Sequence, residues 1–339
     1  MKRILITGIA GLIGSNLARW IRNFTDDEVL GIDDLSCGLL SNIPHDTPWY
    51  RMRLGVNECE FDELVSHWKP DVVYHCAAYA AEGLSPFIRE YNYRNNLVAT
   101  AEVVNACINH QVTRLVFTSS MAVYGCNTPP FDESYQCCPI DPYGVAKFAC
   151  EQDIRIAGEQ HGLDWVIIRP HNVYGPGQVC TQQYRNVIGI WMDRYLHGQT
   201  LRIYGDGLQM RAFSYIDDCV APLYVAGQSG SASREIINLG GTVPVTIGEM
   251  ATQTITAMGG GEVEYCEPRH EVKLAWSTYR KSVDLLQYED KTSFQDGLSR
   301  MWDWASTHEQ VRAETPDIEI FNGLPSYWRG DLKAVRYGD

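Results

Sequence analysis

The first half of the chain alternates between short apolar runs and amphipathic segments. Apolar runs without polar interruption predict buried strands, and they lie at 3–8, 28–33, 71–78, 114–120 and 164–170. The segment "LIGSNLARWIRNF" after the first run has a helical pattern. A later helical stripe with spacings of four, three and four residues consists of Leu97, Ala101, Val104 and Ile108. Buried strands alternating with helices predict an α/β fold with a doubly wound parallel sheet.

The pattern changes after about residue 175, where loops rich in glycine interrupt shorter apolar runs. This change predicts a smaller α/β domain made of interleaved insertions. We expect a nucleotide-binding domain from 1–175 with about 211–226, and a substrate domain from about 176–210 and 227–315. Residues 316–339 would form a C-terminal extension.

Charge and composition narrow the classes of function. The 339 residues carry a net charge of −14, which argues against a nucleic-acid partner. We see no apolar run near the roughly 18 residues that a membrane helix needs, and "MKRILITG" enters a strand without a signal peptide. The 11 cysteines have no paired spacing, which is typical of reduced thiols in a cytoplasmic protein. We therefore expect a cytoplasmic protein with no membrane partner and no metal site.

A glycine motif follows the first predicted strand. "TGIAGLIGS" places Gly8, Gly11 and Gly14 between a strand and a helix, where the backbone can approach a diphosphate at the helix N-terminus. Asp33 ends the second strand, and a carboxylate there binds the ribose hydroxyls and repels a 2′-phosphate. The motif therefore predicts a Rossmann-type domain that prefers NAD to NADP.

A second motif supplies candidate catalytic groups. In "DPYGVAK", Asp141 suits an N-cap and Pro142 suits the first helical position. Tyr143 and Lys147 are four residues apart and share a helical face. Because an ammonium favours a nearby phenolate, Lys147 is expected to lower the pKa of Tyr143. Ser120 lies at the end of a buried strand. From there its hydroxyl could hydrogen-bond a substrate oxygen beside Tyr143.

These motifs together resemble the extended short-chain dehydrogenase/reductase superfamily, in its nucleotide-sugar epimerase branch of the UDP-hexose 4-epimerase type. The resemblance covers residues 1 to about 305 and includes "HCAAYA" (75–80), "RPHNVYGPGQ" (169–178) and "YRNVIG" (184–189). It implies that the following residues bind NAD: Gly8, Gly11, Leu12, Ile13, Gly14, Asp33, Asp34, Cys76, Ala77, Ala78, Asn96, Tyr143 and Lys147.

The resemblance also implies a reaction. Tyr143 would remove the proton of the sugar 4-OH while hydride passes from C4 to NAD, and the 4-keto sugar would turn before hydride returns. Relatives that dehydrate or decarboxylate nucleotide sugars carry acids beside the serine, whereas this chain reads Ser120-Met121-Ala122. That difference favours epimerisation of a UDP-sugar with tightly retained NAD.

The residues that the resemblance assigns to the substrate lie further along the chain. They are Glu82, Ser120, Asn172, Asn186, Val187, Tyr204, Arg211 and Arg269. Arginines suit a diphosphate because the guanidinium can bind two oxygens, and the Tyr204 ring would hold a base, with uracil preferred. A small residue at Ala275 would admit N-acetyl sugars, and the Glu82 anion would fit a neutral hexose better than a hexuronate.

Three functions stay open at this point. The first is C4 epimerisation of UDP-glucose/galactose, of the N-acetyl pair, or of glucuronate/galacturonate. The second is a net NAD(H)-dependent oxidoreductase on nucleotide sugars, and the third is a non-catalytic NAD-binding regulator. The resemblance further implies a homodimer formed by a four-helix bundle of the Leu97–Ile108 helix and the Tyr143 helix.

Overall fold

The structure is a computed structural model that describes residues 1–56, 58–182, 184–269, 271–308 and 315–325. Its strands, in chain order, are β1 (Arg3–Thr7), β2 (Glu28–Asp33), β3 (Trp49–Arg51), β4 (Val72–His75), β5 (Arg114–Thr118), β6 (Trp165–His171), β7 (Val173–Tyr174), β8 (Leu201–Tyr204), β9 (Met210–Ala212), β10 (Ser214–Tyr215), β11 (Glu235–Gly240), β12 (Pro244–Thr246), β13 (Val263–Cys266) and β14 (Leu274–Ala275). Its α-helices are α1 (Leu12–Phe24), α2 (Glu58–Trp68), α3 (Arg89–Tyr93), α4 (Ala99–Asn109), α5 (Pro142–His161), α6 (Val187–Leu196), α7 (Ile216–Gln228), α8 (Ile247–Met258), α9 (Arg280–Leu286) and α10 (Phe294–Thr307). A π-helical turn, Arg94–Val98, joins α3 to α4.

The main sheet has seven parallel strands in the order β11-β6-β5-β4-β1-β2-β3. The chain leaves β1 in one direction along the sheet to β2 and β3, and in the other direction to β4, β5 and β6. The reversal between β1 and β4 creates a crevice at the carboxyl ends of the strands, where such sheets bind ligands. The predicted doubly wound Rossmann-type fold is confirmed.

Side-chain alternation along β1 explains the two layers of helices. Ile4 and Ile6 face α1, α7 and α9, whereas Leu5 faces α2, α4 and α5. Successive side chains of a strand point to opposite faces, so an uninterrupted apolar run is buried on both sides. A third apolar cluster, which includes Trp191 of α6 and Met250 of α8, forms the core of the smaller lobe beside the sheet.

One predicted boundary needs correction. The segment 227–315 was assigned as a whole to the substrate domain, but β11 within it pairs in parallel with β6 from Glu235 to Gly240. The strand lies at the edge of the main sheet because its central residues are buried there, with Ile237 and Leu239 in the same cluster as Ile168. The remaining division into domains stays a prediction, and residues 326–339 of the extension lie outside the described residues.

A buried ion pair fixes α5 on the sheet. Arg169 of β6 donates to both carboxylate oxygens of Glu151, from Nε at 2.9 Å and from Nη2 at 2.6 Å. Both side chains are almost completely buried, and Ser119 also donates to Glu151. This bidentate contact lies one helical turn beyond Lys147, so it holds the face of α5 that carries Tyr143 and Lys147 against the ends of β5 and β6.

All 11 cysteines are free thiols. Eight are buried or half-buried, and Cys59, Cys126 and Cys138 are exposed. The cysteines are thus mostly packed, as expected, and the Sγ atoms of the exposed Cys126 and Cys138 lie 2.8 Å apart.

Candidate functional site

One large cavity, about 1430 Å³ in volume, opens at the carboxyl ends of β1, β2, β4, β5 and β6. Nearly every residue that the sequence assigned to NAD or to the substrate lines it. The lining includes Gly8, Gly11, Leu12, Ile13, Gly14, Asp33, Asp34, Cys76, Ala77, Ala78, Glu82, Ser120, Tyr143, Lys147, Asn172, Asn186, Val187, Tyr204, Arg211 and Arg269. The fold thus brings together groups that are up to 261 positions apart in the chain.

The exception is Asn96. Its amide nitrogen donates to the Asn92 and Tyr79 carbonyls, and its oxygen accepts from the Tyr79 N–H at 3.2 Å. The side chain is buried behind the loop after β4 and is not among the residues that line the cavity. The contact of Asn96 with NAD stays a prediction, and in this structure its amide holds the backbone of Tyr79 in the loop after β4.

The glycine loop fits a dinucleotide diphosphate. Gly8 has φ +75°, and a Cβ there would lie 2.7 Å from the backbone nitrogen of Ala77. A Cβ at Gly14 would overlap the carbonyl oxygen of Gly8. The loop leads into α1, whose N-cap Gly11 has no capping side chain, so the first N–H groups of α1 are left to bind an anion.

We expect the substitution Gly14→Ala to displace the glycine loop and weaken NAD binding. Overpacking of this kind costs about 1 to 3 kcal/mol, which corresponds to about 5- to 150-fold in affinity. Gly230→Ala is the matched control, because a Cβ at Gly230 meets nothing within 4 Å. The measurement is NAD content per protein after purification, and equal content in both variants would contradict the assignment.

Asp33 is placed as the sequence predicts, at the end of β2. Its Oδ2 accepts from the Ala10 N–H at 2.9 Å and its Oδ1 accepts from the Leu35 N–H at 2.8 Å. Burial raises the pKa of this carboxyl, while the two backbone N–H groups lower it. Each oxygen keeps a further lone pair, so the carboxylate can still accept from the hydroxyls of a ribose. Asp34 beside it accepts from the Ser36 N–H and pairs with Arg53.

Ser120, Tyr143 and Lys147 meet in the middle of the cavity. Ser120 Oγ accepts from the Ala122 N–H at 3.1 Å, which leaves its own hydrogen to be donated. Asp141 caps α5 by accepting from the Gly144 N–H at 2.9 Å, and Pro142 begins the helix, as predicted. Lys147 Nζ lies 6.0 Å from the Tyr143 ring centroid and donates to the Thr118 carbonyl at 2.8 Å.

The electrostatics of Tyr143 differ from the prediction. Burial raises the pKa of its phenol and the Glu82 charge raises it further, whereas the hydrogen bond with Ser120 and the charge of Arg185 lower it. Lys147 is itself buried, which lowers its pKa to about 8, and its ammonium is drawn to Thr118. In this structure the predicted lowering of the Tyr143 pKa by Lys147 therefore does not outweigh burial.

The lowered pKa of Lys147 predicts a pH-dependent contribution to stability. In the unfolded chain the pKa of this lysine is 10.5, against about 8 in the fold. Between these values the unfolded state binds more protons, so the contribution to the free energy of unfolding rises with pH, by about 3 kcal/mol in all. We expect NAD-free Lys147→Met protein to be more stable than wild type at pH 7, with a gap that closes towards pH 10.

Urea unfolding of both proteins across this pH range measures the gap. The exposed Lys69→Met variant is the control for loss of a lysine. A gap that does not change with pH would contradict the expectation.

Arg211, Tyr204 and Arg269 lie together at the other end of the cavity. The Arg269 guanidinium stacks 4.8 Å from the Tyr204 ring centroid and pairs with Glu271 at 3.4 Å. Arg211 also pairs with Glu271, at 3.7 Å, and donates to the carbonyls of Val272 and Lys273. The arginines predicted to hold the substrate diphosphate are thus neighbours, but most of the Arg211 donors already have backbone partners.

Asn172 and Asn186 line the cavity, and their side chains also hydrogen-bond backbone groups. Asn172, with φ +38°, donates from Nδ2 to the Ala212 carbonyl at 2.8 Å. Asn186 is the N-cap of α6, where its Oδ1 accepts from the Ile188 N–H at 3.0 Å. Their predicted contacts with the substrate are not excluded by these bonds, since an amide oxygen accepts twice.

Glu82 and Ala275 shape the region between Tyr143 and the arginines. Glu82 is exposed to the cavity, whose walls raise the pKa of this carboxyl to about 7; Asp141 adds to the rise, and Arg211 and Arg269 oppose it. Ala275 is buried in a cluster with Met121, next to Ser120. The cavity therefore has a small apolar side and an acidic side near Ser120.

Two parts of the cavity were not anticipated. Arg185 lines it, although it lies on a loop and leaves no periodic signal in the sequence; only its place inside the motif "YRNVIG" points to it. The described part of the C-terminal extension supplies Gly323 and Pro325 to the lining. Ile318 and Leu324 pack there against Leu84 and Tyr184.

Glu319 anchors this extension, because its carboxylate accepts from the N–H groups of Glu90 and Tyr91, both at 2.8 Å. Within the described ranges, no cluster of three metal-ligating side chains occurs. The helices of these same ranges are all too short or too polar to span a bilayer.

Comparisons with known proteins agree with this geometry. The family model described as "NAD dependent epimerase/dehydratase family" matches residues 4–240. The UDP-glucose 4-epimerase of Mycolicibacterium smegmatis is 29% identical over 309 residues, covering 88% of this chain and 96% of the relative.

Two solved structures are similar along most of the chain. A UDP-glucose 4-epimerase of Thermotoga maritima with UDP-glucose has a TM-score of 0.84 and 28% identity, covering 89% of this chain and 98% of its own. A UDP-glucuronic acid 4-epimerase of Bacillus cereus with UDP-glucuronic acid and NAD has a TM-score of 0.81 and 27% identity, covering 90% and 99%.

Proposed function

Because the chain belongs to the NAD-dependent epimerase/dehydratase family, we propose that it epimerises a UDP-sugar at C4 through a 4-keto intermediate. The observation that carries this proposal is the meeting of Ser120, Tyr143 and Lys147 in one cavity, next to Met121 and Ala122. Those two residues offer no acid or base for eliminating or decarboxylating the sugar. The side chains of the site therefore support only oxidation and reduction at C4.

Each residue of the site has a separate role in the proposed reaction. Tyr143 Oη takes the proton of the sugar 4-OH and later returns it. Ser120, whose oxygen already accepts from Ala122, donates to the same sugar oxygen. Lys147 uses one of its three N–H groups on Thr118, and the other two are available to a ribose hydroxyl. Held by the glycine loop and Asp33, bound NAD would supply hydride exchange at C4, and its positive charge would favour the Tyr143 phenolate.

The sugar is proposed to be neutral. Glu82 faces the cavity near Tyr143, so a hexuronate carboxylate would meet a carboxylate that is partly ionised at neutral pH. The small Ala275 beside Met121 leaves room for an N-acetyl group. We therefore propose UDP-glucose/galactose or the UDP-N-acetylhexosamine pair as substrates.

A net oxidoreductase on the same scaffold is the second candidate, because the same three residues would also serve a single oxidation. The two reactions differ in what happens to added NAD. With excess NAD and a UDP-sugar, an epimerase builds up no NADH absorbance, whereas a dehydrogenase forms NADH in step with oxidised sugar. Accumulation of NADH equal to the sugar consumed would reject the epimerase.

The assembly that we propose is a homodimer through α4 and α5. Val145 and Ile156 are exposed, and because they are 11 residues apart they share one face of α5. Val98, directly before α4, is exposed as well. Apolar side chains on adjacent helices are typical of an interface. Sedimentation equilibrium tests the homodimer: a monomer at micromolar concentration would reject it, and Ile156→Glu should weaken the dimer.

A cytoplasmic location also stays a proposal.

A further inference from the structure

A buried arginine in the cavity has donors without acceptors. The Arg185 guanidinium has the Cys37 thiol as one acceptor, but its Nε and Nη2 are inaccessible to solvent and have no hydrogen-bond partner among the described residues. Buried donors are nearly always paired, because leaving a charged one unpaired is costly. Since Arg185 lines the cavity, these two N–H groups indicate a ligand that offers oxygen acceptors.

The position of Arg185 identifies the end of the cavity that this ligand occupies. The guanidinium lies 5.2 Å from the ring centroid of Tyr79, in the loop after β4. Its neighbour Gln182 donates to the Cys37 thiol at 3.7 Å, in the loop after β2. Tyr79 follows β4 and Cys37 follows β2, so Arg185 reaches the loops on both sides of β1 at the carboxyl ends of the strands.

The loop that Arg185 approaches is joined to the glycine loop. The Leu39 N–H donates to the Ala10 carbonyl at 3.0 Å, and Asn42 donates to the same oxygen at 3.1 Å. Asn42 also donates to the Gly177 carbonyl at 2.7 Å, so the segment that leads to Arg185 runs along the glycine loop. Arg185 thus lies on the cofactor side of the cavity.

The arginines of the cavity act on different carboxylates. Arg211 and Arg269 act on Glu82, at the substrate end. Arg185 acts on Asp33, at the end of β2, and on Tyr143. The carboxylates of Asp33 and Asp34 make the cofactor end negative, and a dinucleotide diphosphate would bring two further negative charges there.

We propose that Arg185 donates from Nε and Nη2 to the diphosphate of NAD, clamping the cofactor against the N-terminus of α1. A guanidinium matches this role because Nε–H and Nη2–H are parallel and can bind two phosphate oxygens. The contact would lie opposite the glycine loop, so that the diphosphate is held from both sides. Tight retention of NAD follows from such a clamp.

The C-terminal extension supports this placement. Tyr184, next to Arg185, packs in one apolar cluster with Ile318 and Leu324. The extension therefore anchors the loop that carries the arginine.

The test compares NAD and UDP binding in matched variants. We expect Arg185→Gln to weaken NAD binding by about 10- to 100-fold, the range for losing hydrogen bonds to a charged group, with UDP binding unchanged. Arg185→Lys keeps the charge but not the fork and should lose less. Arg269→Gln, at the substrate end, should weaken UDP binding and leave NAD binding unchanged. Calorimetric titration of NAD-free protein with NAD and with UDP gives both affinities.

The outcomes are distinct. Weaker UDP binding with unchanged NAD binding in Arg185→Gln would assign the arginine to the substrate diphosphate and overturn the proposal. Unchanged binding of both would also overturn it. The inference rests on the NAD binding of the proposed function but not on the identity of the sugar. If wild-type protein binds NAD but epimerises no UDP-sugar, the proposed function is rejected, while the comparison of NAD and UDP affinities between the variants stays valid.

Discussion

Replacing Tyr143 by Phe is expected to reduce kcat by about 10²- to 10⁴-fold, the contribution of a positioned general base, while NAD stays bound. The substitution removes only the phenolic oxygen, so the ring keeps its packing beside Lys147, 6.0 Å from Nζ. Ser120 cannot replace it, because a serine hydroxyl is far less acidic than a phenol. Turnover of UDP-sugar and NAD content per protein are measured on the same preparation.

Tyr135→Phe is the matched control for this variant. Tyr135 lies on the exposed loop between β5 and α5 and should tolerate the change without loss of turnover. Activity of Tyr143→Phe near that of wild type would remove Tyr143 from the reaction. Loss of NAD together with activity would instead give Tyr143 a structural role in cofactor binding.

Replacing Arg169 by Leu is expected to lower the free energy of unfolding by about 3 to 5 kcal/mol. The change leaves the Glu151 carboxylate buried without its bidentate partner, and an unpaired buried charge is the costly outcome. For a chain of this size the corresponding fall in Tm is roughly 4 to 7 °C. Thermal unfolding followed by circular dichroism measures it.

The double variant Arg169→Leu with Glu151→Leu provides the control. Replacing both members of a buried pair with apolar residues is often close to neutral, so the double variant should regain most of the stability lost in the single one. A double variant that is as unstable as the single one would show that packing around Arg169, which also lies 4.7 Å from the Tyr124 ring centroid, matters more than the charge.

The parallel sheet could be predicted because its strands are buried on both faces. Such strands appear as uninterrupted apolar runs, and β1, β2, β4, β5 and β6 were all found in this way. The helix α1 was predicted with the observed bounds, Leu12–Phe24, because a glycine motif precedes it. The α5 cap was readable because Asp141 and Pro142 act locally, within three residues of the backbone groups that they serve.

Other features depend on contacts that no local pattern encodes. The strand β11 joins the sheet through pairing with β6, about 70 residues earlier in the chain, so its membership could not be read from "EIINLG" alone. The hydrogen bonds of Asn96 with Tyr79 and Asn92 could not be predicted either, because the π-helical turn fixes its direction. The pKa of Tyr143 depends on burial, which the spacing of Tyr143 and Lys147 does not reveal.

The most direct test of the proposed function is proton NMR of purified protein with UDP-glucose, UDP-N-acetylglucosamine or UDP-glucuronate, with no cofactor added. We predict a new anomeric signal, that of the C4 epimer, with UDP-glucose or UDP-N-acetylglucosamine, because retained NAD is sufficient when net redox is zero. Conversion of UDP-glucuronate alone would contradict the assignment of Glu82. No conversion of any sugar unless NAD or NADH is supplied stoichiometrically would contradict epimerisation itself.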